Sequence, residues 1–154
     1  MLEKVEISED FYFASVRHHE AGHAVVWWDV GVDVDSIEVW KSGFFRSDSK
    51  GLVTPVEYDE ENLFNHGIGM AAGALAQDRF FVEHGVSRAQ AERISEECSG
   101  GDDEYIQYFS SRLGISRSTF RDRAEASLEV RWELVRVVAA MLNSSAHLPG
   151  SVAR

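Results

Sequence analysis

The stretch R17-H-H-E-A-G-H-A-V-V-W-W28 sets two histidines, His19 and His23, four residues apart, with Glu20 directly after the first. It reads either as a metal site with its own general base or as an ordinary buried helix that carries polar residues. Tyr12, Val16, His19, His23 and Val26 recur at alternating spacings of four and three, which places them on one helix face. Ser8 followed by Glu9 and Asp10 has the form of a capped helix start, a side-chain oxygen and then acids in the first turn. The helix is predicted to run to about Asp29 and to end at Gly31. Both histidines then share a largely apolar, inward face, where an unpaired imidazole is costly.

Residues four apart on a helix have Cβ atoms about 5–6 Å apart, so two imidazoles at that spacing can share one tetrahedral Zn²⁺. A glutamate one residue after the first histidine is offset around the helix. It can reach the fourth coordination position through a water and take that water's proton as the water attacks a carbonyl. H-E-x-x-H is the pattern this chemistry requires. Gly22 leaves room for something to approach the helix. His18 points about 100° away from His19 and is read as surface or as an outer partner of the site.

With 154 residues the chain is sized for one domain, 1–154, with a proper core, and 44% of it is apolar. No run approaches the roughly 20 apolar residues of a membrane span. The charged N-terminus MLEKVEISEDF lacks an apolar signal core, and the single cysteine, Cys98, excludes an internal disulfide. These features predict a cytoplasmic protein without membrane association. The net charge of −11 argues against nucleic-acid binding, which needs a basic footprint. Arg117, Arg121 and Arg123 read as a solvated helix face.

Downstream, V34-D-S-I-E-V-W40 and G51-L-V-T-P-V-E57 read as a pair of strands, with Pro55 making the second an edge or marking its end. Residues 60–82 read as a helix so rich in Gly and Ala that it must pack closely. Ser87 caps a short helix to about Glu97, S99-G-G-D-D103 breaks the chain, and a helix covers about Asp102 to Leu113. Ser116 or Ser118 opens a last long helix to about Asn143, and the tail from Ser144 reads as loop. The predicted class is α+β, mainly helical, with the HExxH helix and the C-terminal helices packed around a small hairpin or sheet.

A catalytic zinc needs a third protein ligand and an open position. The metzincin spacing points to Asp29, but Val26 stands where that pattern needs a glycine. By residue type Glu83, Glu92, Glu96 and Glu97 qualify, as does the pair Asp102-Asp103. Two glycines precede that pair and allow close backbone approach. Cys98 also lies near in sequence, although a lone buried thiol is the commoner state.

H19-E-A-G-H-A-V-V26 resembles the zinc helix of the FtsH-type ATP-dependent metalloproteases, whose motif reads HEAGHA followed by apolar residues. S36-I-E-V-W40 with G51-L-V-T54 is similar to that family's strand pair. M70-AAGALAQDRFF81 is similar to its small-residue helix, with Gln77 and Asp78 in place of acids. S99-GGDDEYI106 stands where the family has a glycine-rich segment ending in an aspartate ligand, and the last helix resembles the family's C-terminal one. The resemblance covers nearly the whole chain. It implies His19 and His23 as zinc ligands, Glu20 as general base, and Asp103 as third ligand with Asp102 as the alternative. It also implies a peptide or unfolded protein as substrate. The family's membrane spans and ATPase module have no counterpart, and no G-x-x-x-x-G-K-[ST] phosphate loop occurs. Such a domain would cleave flexible peptides on its own, receive substrate from a partner such as a separate ATPase, self-associate, or have lost activity.

If the second strand is an edge, Gly51, Leu52, Val53 and Thr54 offer backbone groups to which an extended peptide can add. The F44-F-R-S-D-S-K50 loop or another subunit would otherwise cover that edge. Phe44 and Phe45 would form a hydrophobic pocket or lid, or belong to the core. The competing functional reading is a non-catalytic interaction or regulatory module that keeps a metal as a staple. Structural zinc usually has four protein ligands, often cysteines. One cysteine, together with a glutamate in the base position, favours catalysis.

Overall fold

A computed structural model describes residues 5–41, 49–55 and 60–153 of the chain. The order is α1 (Glu9–Asp29), β1 (Val34–Lys41), β2 (Ser49–Pro55), α2 (Leu63–Glu83), α3 (Arg88–Cys98), α4 (Gly100–Leu113), α5 (Arg117–Ser144) and β3 (His147–Pro149). Short 3₁₀ turns precede α2 and follow β3. The class is α+β, mainly helical, as the sequence pattern predicts. Phe44 and Phe45 lie outside the described residues. No helix among the described residues is long and apolar enough to cross a membrane.

Local chemistry sets the helix ends. Ser8 Oγ accepts from the Phe11 amide, and Gly31 at φ +88 turns the chain out of α1. Ser87 caps α3 by accepting from the Gln90 amide, and Ser116 does the same for α5 through Ser118. The expected inward face of α1 is realised, with Tyr12, Val16, His19, His23 and Val26 all buried.

The sheet is antiparallel in the order β2-β1-β3, so β2 lies at one side of it. Ile37 and Val39 face Val53 and Gly51 across the β1–β2 pair. A register shift between Val34 and Ser36 lets Val34 join Ile37 and Val39 in the core despite their uneven spacing. The tail expected to be loop instead supplies β3, where Leu148 pairs with Ile37 and is buried. Three residues are too few to show an alternating pattern, so only their apolar partner in β1 identifies them as a strand.

One hydrophobic cluster joins both layers. Trp27, Phe81, Phe109 and Phe120 are its largest fully buried side chains. Each such burial is worth about 1.5–3 kcal/mol. The close packing expected of the Gly/Ala-rich α2 is found against α1. A Cβ on Gly22 would lie 2.5 Å from the Ala76 Cβ and 3.0 Å from the Ala72 carbonyl oxygen. The approach that Gly22 permits is therefore that of α2.

Candidate metal centre

His19 and His23 sit one turn apart on α1, both at most 5% exposed, with ring centroids 4.8 Å apart. The 3.6-residue turn places both on the side covered by α2, where Gly69, Gly73 and Gln77 form a stripe at a spacing of four. Gly69 and Gln77 engage the two rings from behind. The Nδ1 of His23 lies 2.8 Å from the Gly69 carbonyl oxygen, and the Nδ1 of His19 lies 2.9 Å from Gln77 Oε1. An acceptor at Nδ1 puts the imidazole hydrogen there and leaves Nε2 as a bare lone pair. Between them, Gly73 gives both Nε2 atoms clearance. A Cβ there would lie 2.5 Å from His23 Cε1 and 2.6 Å from His19 Nε2.

Both Nε2 atoms meet Asp102 in the first turn of α4. Its Oδ2 lies 2.9 Å from His19 Nε2 and 3.0 Å from His23 Nε2. Two bare nitrogens and a carboxylate oxygen are all electron-pair donors, so the cluster requires a shared cation, a proton or a metal. With a proton in that role, burial works against a charge on His23. The Asp102 charge and hydrogen bond, the Glu20 charge and the Gly69 carbonyl overcome it and raise His23 to about 9. Burial likewise works upward on Asp102, but the two histidines hold it well below the usual carboxylate range.

Glu20 lies beside this cluster, 7% exposed. One ligand atom from each of His19, Glu20 and His23 falls within 4.8 Å of the others. Burial pushes the Glu20 carboxyl up, the histidine charges oppose that, and the Asp102 charge adds to it. Gly51 of β2 packs directly on this carboxylate, since a Cβ there would lie 2.7 Å from Glu20 Cδ and 2.8 Å from Oε1. A cleft of about 460 Å³ joins the parts. Glu20, His23 and Asp102 line it together with Gly51, Leu52, Val53 and Thr54, and Trp27, Met70 and Phe109 supply apolar wall. The four strand residues singled out from sequence thus border the cleft, with Leu52 51% exposed at its edge.

The aspartate pair divides differently from expectation. Asp102, the alternative, meets the histidines. Asp103, the preferred ligand, turns away, and its Oδ1 pairs with Arg117 at 3.1 Å on the exposed side. Successive helical residues diverge by about 100°, so only one of the pair can face α1. Asp102 shares its helix face with the buried Ile106 and Phe109, four and seven residues further on, so that residue is Asp102. The two glycines ahead of the pair also have a role other than expected, because a Cβ on Gly100 or Gly101 would meet nothing within 4 Å.

The other candidates are engaged elsewhere. Asp29 accepts from Ser127 Oγ at 2.6 Å and pairs with Arg131. Glu83 accepts from Trp132 Nε1. Glu92 and Glu96 line a separate cleft with Asp78 and Asp103, and Glu97 is exposed. Cys98 Sγ lies 2.6 Å from Tyr12 Oη and 3.7 Å from Gln77 Nε2. His18 is half-buried, with its ring stacked on Phe80 at a centroid distance of 4.3 Å. Of the arginine group, Arg117 pairs with Asp103 and Arg123 lies over the Phe64 ring.

Sequence reasoning missed the Gly69 carbonyl, Gly73 and Gln77. Their four-residue spacing along α2 matches that of the two histidines on α1, which is the one signal that links them. The donor set of two imidazole nitrogens and one carboxylate oxygen, with both imidazoles anchored from behind and a cleft alongside, can hold a divalent ion of the zinc type. Comparison with protein-family models and with curated protein sequences gives no match.

Proposed function

We propose that this chain is a cytoplasmic zinc-dependent metallopeptidase of the FtsH-like type, acting on flexible or unfolded polypeptide. The observation that carries the reading is the meeting of His19, His23 and Asp102 at one point, with the Glu20 carboxylate in the same cleft. The order of elements, an HEAGH helix, a strand pair, a small-residue helix and then an aspartate opening a helix, supports it.

His19, His23 and Asp102 hold the ion. A bound zinc ion supplies an acidified water and polarises a carbonyl. Glu20 takes a proton at its carboxylate and returns it to the leaving amine, and burial raises its basicity for that task. The outer side of β2 binds an extended segment by strand addition, with Gly51 keeping the backbone close to Glu20. Substrate arrives unaided or from a separate ATPase.

The test is hydrolysis of unfolded casein and of quenched-fluorescence peptide pools by zinc-loaded protein. Glu20→Gln should lower the rate by at least about 10²-fold, with zinc content and melting temperature retained. A variant that still cleaves would remove Glu20 from the chemistry. A zinc-loaded wild type without turnover would leave a metal-holding interaction module.

A further inference from the structure

Gln77 is fully buried at 0% exposure, and its amide is held at both ends. Its Oε1 lies 2.9 Å from His19 Nδ1, while its Nε2 lies 3.0 Å from Ser15 Oγ. The Ser15 hydroxyl hydrogen is already committed to the Tyr12 carbonyl oxygen at 2.5 Å. Ser15 Oγ therefore has only lone pairs to offer, and the amide must turn its NH₂ end toward it. The opposite orientation would set oxygen against oxygen at Ser15 and amide hydrogen against the ring at His19.

This orientation decides which nitrogen of His19 carries hydrogen. Asp102 draws that hydrogen toward Nε2, 2.9 Å from its carboxylate, where it would block coordination. Gln77 Oε1 draws it toward Nδ1. His23 needs no such arbiter, because a backbone carbonyl that no side-chain change removes holds its Nδ1. We infer that Gln77, oriented by Ser15, is a positioning residue that keeps the metal-facing nitrogen of His19 free of hydrogen. The run from the Tyr12 carbonyl through Ser15 and Gln77 to His19 is then part of the metal site. The inference rests on the metal-holding half of the proposed function and not on peptide hydrolysis.

The test uses the full chain, with zinc affinity measured against a competing chromophoric chelator. Gln77→Leu should weaken binding by about 10–100-fold. Ser15→Ala should weaken it several-fold in the wild-type background and not at all in the Gln77→Leu background. Equal zinc affinity in a folded Gln77→Leu protein overturns the inference, as does the same Ser15→Ala cost in both backgrounds. Imidazole ¹⁵N shifts of zinc-free protein give a reading independent of metal. Hydrogen should reside on Nδ1 of His19 in wild type and move to Nε2 in Gln77→Leu. A wild type that binds no zinc would sink the proposed function, and the ¹⁵N shifts would still decide the relay. Hydrogen on Nε2 in wild type would overturn it even if Gln77→Leu does not fold.

Discussion

Gly73 on α2 faces His23 so closely that a β-carbon on it would lie 2.5 Å from the Cε1 of that ring. The same β-carbon would press on His19 Nε2, so this residue sets how near the two helices come at the metal-facing atoms. Gly73→Ala should destabilise the protein by about 1–3 kcal/mol, as overpacked cores do. It should also weaken zinc uptake. Thermal melts with and without zinc check both, and a variant indistinguishable from wild type would mean that α1 and α2 part without cost.

Gly101 provides the contrast. It lies in α4, where an added Cβ meets nothing within 4 Å. Gly101→Ala should stabilise the fold by about 0.5–1 kcal/mol through helix propensity alone. Zinc affinity should not change. A loss of affinity would show that the backbone at this turn must flex for metal to enter.

Asp102 and Asp103 are neighbours with opposite expected phenotypes. Asp102→Asn should cost more zinc affinity than the about 10–100-fold typical of an outer partner. Asp103→Asn removes only a half-exposed pair with Arg117, worth about 0–1 kcal/mol, and should leave affinity unchanged. Zinc titration of the two variants side by side decides the assignment, and a reversed order would return the role to Asp103.

Under the proposed function a proton would compete with zinc for His23 Nε2. Burial opposes a charge there, but Asp102 and Glu20 raise His23 to about 9 in zinc-free protein. Below that value each uptake of zinc must displace a proton, so apparent affinity should fall about tenfold per pH unit from 9 downward. In the zinc-free state the same shift favours folding fully below the ordinary histidine value near 6.5, and that contribution disappears as pH rises through about 9. Titrations at pH 6, 7 and 8 measure the slope. A flat profile would mean that His23 is neutral before zinc arrives.

Asp78 carries a separate pH signature. Burial, opposed by the Ser95 hydrogen bond and aided by the Glu92 charge, raises it to about 6. The folded state then prefers the protonated acid, so the penalty is absent below the ordinary aspartate value of 3.8 and complete above about 6. Asp78→Asn should raise the melting temperature by roughly 2–4 °C at pH 7–8 and leave it unchanged at pH 3.5. An equal gain at both pH values would point to packing instead of charge.

Much of this arrangement is legible in the residues themselves. The cap at Ser8, the stop at Gly31 and the spacing from Tyr12 to Val26 define α1 and aim its histidines inward, because those signals are local. The strand pair follows from alternation at Ile37 and Val39. The choice between Asp102 and Asp103 depends on helix phase, which the buried Ile106 and Phe109 mark. Tyr105 and Tyr108, large and apolar yet exposed, blur that phase in the sequence. Gly73 and Gln77 act only through the approach of α2 to α1, a tertiary relation that no run of residues within α2 encodes. The role of β3 is likewise visible only once β1 stands beside it.

The C-terminal segment ties itself down at several points. Leu148 pairs with Ile37, and Trp28 Nε1 donates to the Gly150 carbonyl at 2.6 Å. Gly150 also sits so tightly against Val34 that a Cβ would lie 3.0 Å from that residue's Cβ. These contacts close the long flank of β1 opposite β2. A chain cut after Ser145 would expose that flank, with Ile37 and Val39 beneath it, and turn a hemmed sheet into a template for a second molecule. Proteolytic trimming at this end would thus surface as self-association before any change in the His19, His23 and Asp102 cluster, whose cleft is bordered by β2 at the opposite side of the sheet.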